Sequence, residues 1–71
     1  MPLFMVEPGV PIRIDRLRGE SECCRFLENL GFVPGSVVTV LSETRGNLIV
    51  RVREARVAVS RAMAGKIMVS E

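Results

Sequence analysis

Seventy-one residues, 48% hydrophobic and 25% charged, describe one small domain with an ordinary balance of core and surface; a chain of this length buries only about 60% of the surface its unfolded form exposes. Ten basic against eight acidic residues leave a net charge of +2, too small to argue for nucleic acid by itself. No apolar run approaches the ~20 residues of a membrane span, and the opening MPLFMVEPGVPIRID, with no basic start, a glutamate and three prolines, does not read as a signal peptide.

Residues 1–7 carry no periodic pattern and are expected to be loosely held, available to dock on another subunit. Residues 10–18 form the first strand. Ile12 and Ile14 share a face but Leu17 lies on the other parity, so a bulge near Asp15–Arg16 is needed to return Leu17 to the core side. Residues 21–30 are the one convincing helix. Ser21 suits the N-cap, Glu22 the first turn and Gly31 the left-handed position after the last turn. Cys23, Phe26, Leu27 and Leu30 take helical spacing on an expected core face.

Val33-Pro34-Gly35-Ser36 reads as a type II turn, with proline second and glycine supplying a positive φ third. A valine-rich strand follows over residues 37–42, and Arg45-Gly46-Asn47 marks a hairpin loop. Residues 48–53 alternate, with Leu48, Val50 and Val52 inward and Ile49, Arg51 and Arg53 outward. A tight turn at Glu54–Ala55 leads to a strand with Val57 and Val59 inward. Ser60 caps a helical turn stopped by Gly65, and residues 67–69 close the chain as a fifth strand. An open sheet this small cannot hide two faces, whereas curling removes exposed edges. The expected fold is mostly β: a small SH3-like five-stranded barrel with one inserted N-terminal α-helix, residues 1–71 forming a single domain.

Chemistry-bearing residues are sparse. There is no histidine, no P-loop and no nucleophile–base pair to name, so an enzyme is not expected. Cys23 and Cys24 are adjacent, point about 100° apart on a helix and make a poor chelate; one apolar buried thiol and one half-exposed neighbour is the simpler reading. Nine of the ten basic residues are arginine, which favours planar bidentate contacts. Arg51, Arg53 and Arg56 fall on outward positions of one hairpin, with Arg45 at a neighbouring loop and Arg61 beyond. Such a stripe suits an acidic protein face or a phosphate backbone, against the plainer use of charge to solubilise strands. With Phe4, Phe26 and Phe32 the only aromatics, base-stacking platforms and the usual aromatic groove of peptide-binding SH3 modules are both missing.

The run Leu27-Glu28-Asn29-Leu30-Gly31-Phe32-Val33-Pro34-Gly35-Ser36 resembles the signature of the ferrous iron transport protein A (FeoA) family: Leu, two residues, Leu-Gly, two residues, Pro-Gly-Ser, then a valine-rich strand. The similarity continues through Arg51, Arg53, the strand at 56–59, and Ala64, Ile67 and Val69. Where many members carry a proline-containing loop before the central hairpin strand, this chain has Thr44-Arg45-Gly46-Asn47-Leu48, and Glu54 stands where a small residue is common. Both departures alter loop surfaces rather than the barrel.

The resemblance implies a cytoplasmic accessory of FeoB, a membrane ferrous-iron transporter with a GTPase domain, and kinship with the C-terminal SH3-like domain of iron-dependent repressors. It also implies weak association with Fe²⁺ or another transition metal, for which the residues themselves offer no site; no cofactor is expected. The expected partner-binding residues are Phe32, Pro34, Gly35, Arg45, Arg51, Arg53 and Arg56. No nucleic acid and no membrane insertion are expected, self-association is left open, and the alternative is a small-barrel nucleic-acid binder using the same arginines.

Overall fold

The computed structural model describes residues 1–70. A 3₁₀ turn at Leu3–Met5 precedes β1 (Pro11–Leu17), α1 (Ser21–Asn29), β2 (Val37–Thr44), β3 (Asn47–Val52), β4 (Ala55–Ser60), the short helix α2 (Arg61–Ala64) and β5 (Ile67–Val69). All strand pairs are antiparallel, in the order β4-β3-β2-β1-β5.

The bulge expected in β1 organises the sheet. Residues 11–13 pair with β2, then the register shifts between Ile14 and Arg16, and the second half of β1 pairs with β5. Inserting one residue increases local twist, so a single strand can serve two neighbours that face in different directions. The sheet curls around its core as an SH3-like fold does, but it is not closed: β4 and β5 do not pair, which corrects the expectation of a cylinder without edges.

Turn chemistry follows local sterics. Ser36 N donates to Val33 O at 3.0 Å, with Gly35 at φ +91°, the type II turn read from Pro34-Gly35. Arg45 and Gly46 both take positive φ, +51° and +79°, making the two-residue loop whose twist matches the flanking strands. The next connection is Arg53–Glu54, one residue earlier than expected; Arg53, at φ +56°, belongs to this turn rather than to the strand.

At the end of α1 the chain reverses through two bonds: Gly31 N donates to Glu28 O at 2.9 Å and Phe32 N to Leu27 O at 3.0 Å. This is the Schellman arrangement, with Gly31 at φ +109°. Its hydrophobic partners are Leu27 and Phe32, both fully buried. Glu20 rather than Ser21 occupies the N-cap, without a side-chain bond. Ser60 caps α2 as expected, its Oγ accepting from Met63 N at 3.1 Å.

Leu3, Ile14, Leu27, Phe32, Val38, Leu48, Val50, Val52 and Ile67 form the centre of a dry core, and among the described residues no polar or charged side chain is buried. Two expectations are corrected. Residues 1–7 are not loosely held: Leu3 and Val6 enter the core, Met1 and Val69 exchange bonds at 2.8 and 3.0 Å, and Pro2 bridges Met68. Phe26 is 55% exposed, because the inward face of α1 is centred on Leu27 with Cys23, Cys24 and Leu30 half-buried beside it.

Candidate docking surface

β3 alternates throughout and β2 as far as Val40, beyond which the register shifts before Ser42, so that Val38, Val40, Leu48, Val50 and Val52 point inward. Val37, Thr39 and Arg51 are thereby turned to the outer face. Cross-strand register then assembles a row: Pro11 lies opposite Thr39, Thr39 opposite Arg51, and Arg51 opposite Arg56. Arg13, opposite Val37, starts the neighbouring row, at whose far end the turn presents Arg53.

Between these rows an open hollow of about 320 Å³ is lined by Ser36, Val37, Thr39, Arg51 and Arg53. Its chemistry is two guanidinium groups, two hydroxyls and an apolar floor at Val37, which is 52% exposed. None of Arg13, Arg51, Arg53 and Arg56 forms an ion pair among the described residues; the one present joins Arg61 to Glu43. Arg51 and Arg56, both exposed, face each other directly, a like-charge pair that costs stability. The stem of Arg53 lies over Gly31, where an added Cβ would meet its Cδ at 3.4 Å, so this arginine sits at the C-terminal end of α1. Carbonyls unpaired at a helix end favour a cation there.

The expected site residues divide. Arg51, Arg53 and Arg56 come together, and the Pro34–Gly35 turn adjoins them: Gly35 N donates to Ile14 O at 2.8 Å, Ile14 N donates to Ser36 O at 2.8 Å, and Ser36 lines the hollow. Arg45 does not join, since Asn47, beside the hairpin tip, already lies about 13 Å along β3 from Arg51 at ~3.3 Å per residue. Phe32 is fully buried and cannot touch a partner without unfolding the helix end; its place in the docking set is corrected to a core role. Arg61 is withdrawn as well, held by Glu43 at 2.9 Å and stacked over the Phe4 ring at 4.6 Å. Sequence reading missed Arg13, Thr39 and Val37, whose link to the hairpin exists only through the β1–β2–β3 register.

The cysteines lie elsewhere. Cys23 Sγ accepts from Lys66 Nζ at 3.4 Å, and Cys24 Sγ points to the carbonyls of Arg18 and Gly19 at 3.6 and 3.8 Å. Among the described residues no three His, Cys, Asp or Glu side chains converge as metal ligands would.

A FeoA-domain family model matches residues 1–71. The chain belongs to the FeoA family. Among solved structures it is similar to an iron uptake regulatory protein (FeoA), with 27% identity, TM-score 0.89, and coverage of 97% of this chain and 93% of that one. It shares its fold with the Stenotrophomonas maltophilia FeoA, a procaryotic SH3 domain protein solved complexed with zinc, at 22% identity, TM-score 0.86, and coverage of 99% and 89%. A manganese-dependent transcriptional repressor contains the same fold: 21% identity, TM-score 0.88, with 97% of this chain matched to 40% of that one. No curated protein matches the sequence. The FeoA family is associated with ferrous iron transport, and this FeoA domain carries an arginine-lined face.

Proposed function

We propose that this FeoA domain is a cytosolic accessory of ferrous iron uptake that docks on an acidic cytoplasmic surface of the FeoB-type GTPase transporter. The observation carrying this reading is the cluster of Arg51, Arg53 and Arg56 on one exposed sheet face with no acidic partner of their own among the described residues. Unpaired guanidinium groups over a half-exposed valine and two hydroxyls suit bidentate recognition of carboxylates. Family membership supplies the transport context, and no helix among the described residues is long and apolar enough to cross a membrane. The role is regulatory rather than catalytic and needs no resident metal.

The test is co-sedimentation of the chain with membranes bearing the transporter, alongside iron accumulation in cells relying on the variant. Arg51→Glu with Arg53→Glu should abolish both while leaving the circular dichroism spectrum unchanged. Normal binding and normal iron accumulation in that double variant would remove the arginine face as the docking surface. Binding of RNA or DNA that falls steeply with salt would instead favour a phosphate backbone as its ligand.

A further inference from the structure

The sheet has two terminal strands, and the chain treats them differently. Along β5, Val69 N donates to Met1 O at 2.8 Å, the Met1 ammonium donates to Val69 O at 3.0 Å, and Pro2 bridges Met68, so the N-terminal residues cover that edge. Among the described residues nothing equivalent covers β4. A two-residue connection with Val52 opposite Ala55 makes Val52–Ala55, Val50–Val57 and Leu48–Val59 the hydrogen-bonded pairs of the β3–β4 ladder. The N–H and C=O groups of Arg56 and Ala58 therefore point away from β3. Among the described residues, no hydrogen bond from outside the ladder reaches either of them.

Exposed edges normally carry a deterrent: a proline, a bulge, a charge on the inward side or charged side chains along the edge. β4 has only the last, in a single arginine that turns away basic strands and admits acidic ones. Its register with β3 runs unbroken from Ala55 to Ser60, Ala55, Ala58 and Ser60 are small, and its one charged side chain, Arg56, lies on the outer face.

We propose that the free edge of β4 accepts an acidic extended segment of a partner protein as a sixth, antiparallel strand. This deepens the docking reading above and rests on it for the sign of the partner's charge. In such pairing the residue opposite Arg56 shares its face at a Cα separation of about 5.5 Å. A glutamate or aspartate there relieves the Arg51–Arg56 juxtaposition. A second copy of this chain is the poorer occupant, because self-pairing through Arg56 and Ala58 brings two Arg56 side chains to one face, a diagonal step apart. Main-chain bonds would then supply affinity and the arginines specificity.

The experiment titrates the isotope-labelled full chain with an acetylated, amidated hexapeptide alternating threonine and glutamate, and reads amide hydrogen exchange residue by residue. Binding should slow exchange at Arg56 and Ala58 by about tenfold or more, while amides already bonded in β3 change little. N-methylation of the peptide amides that face β4 should abolish binding without altering the protein. Ala58→Pro, which removes an outward N–H and no ladder bond, should do the same. Arg56→Glu, or glutamine in place of the peptide's glutamates, should weaken it by about tenfold or more.

Equal binding of the N-methylated peptide would overturn strand addition while leaving docking on the arginines intact. Equal binding of the glutamine peptide would overturn the acidic occupant. Shifts confined to Ser36, Val37 and Thr39, with exchange at Arg56 and Ala58 unchanged, would place the ligand in the hollow instead. Protection that grows with protein concentration alone, together with dimer sedimentation, would make the occupant a second copy.

Discussion

At the Arg45–Gly46 end of the β2–β3 hairpin, Arg61 meets Glu43 at 2.9 Å and lies over the Phe4 ring at 4.6 Å. At the Arg53–Glu54 end, Arg51 faces Arg56 across the ladder and neither forms an ion pair among the described residues. Both ends are exposed and both are rich in arginine, yet only one has its charge answered from within the chain. A guanidinium that is already paired and stacked has little left to offer a partner. One set beside another guanidinium is improved by any carboxylate that arrives. The contrast assigns docking to the second end and locking of the N-terminal segment to the first.

The largest effect concerns what lies beneath the second end. Phe32 sits wholly in the core, closing the Schellman turn against Leu27. Phe32→Ala should cost about 3–5 kcal/mol in denaturant unfolding, enough to unfold much of so small a domain. If the variant instead kept its stability and lost only partner binding, Phe32 would be a contact residue and the division between core and surface drawn here would fail.

Gly31 couples that core to the arginine face. It holds φ +109°, and an added Cβ would come within 3.4 Å of the Arg53 Cδ. Gly31→Ala should destabilise by about 1–2 kcal/mol from left-handed backbone strain, while its Cβ makes no more than van der Waals contact with the flexible Arg53 stem, so docking should weaken only as far as the stability loss explains. Gly35→Ala is the control: its φ of +91° imposes similar strain, and nothing lies within 4 Å. A larger docking defect in Gly31→Ala than in Gly35→Ala would mean that the seat of Arg53 on Gly31 matters to docking.

These two glycines also show what was legible in the sequence. Gly31 and Gly35 announced themselves by local chemistry, as did the bulge at Asp15 through the parity break between Ile14 and Leu17, and the cap at Ser60. Each is decided within a few residues. Phe26 and Arg45 were misread because their positions depend on what lies across space. Helical spacing allowed Phe26 on the core face, but the core is reached through Leu27, one residue and about 100° away. Arg45 is near Arg51 in sequence and far from it along an extended strand. Arg13 was missed for the converse reason, since its place beside Val37 comes from the β1–β2 register, which no local pattern encodes.

At the other end of the hairpin, Arg61→Ala removes an ion pair whose partners are 55% and 41% exposed, together with a ring contact. Solvent screens such a pair, so the loss should stay near or below about 1 kcal/mol. Transporter docking should be unchanged. A docking defect as large as that of Arg51→Glu would mean both ends serve the partner, and the asymmetry would collapse.

The smallest effect has the most telling sign. Arg51→Glu replaces repulsion across the β3–β4 ladder with attraction, so it should stabilise the isolated domain by about 0.2–1 kcal/mol even as it abolishes docking. Added salt should narrow the difference, because screening weakens both the repulsion in the native chain and the attraction in the variant. Thermal unfolding at low and high ionic strength measures it directly. A residue kept for the fold alone would not be one whose removal strengthens it. If Arg51→Glu proved destabilising at low salt, the arginine would be contributing to the domain itself, and its lack of an acidic partner would no longer point outward.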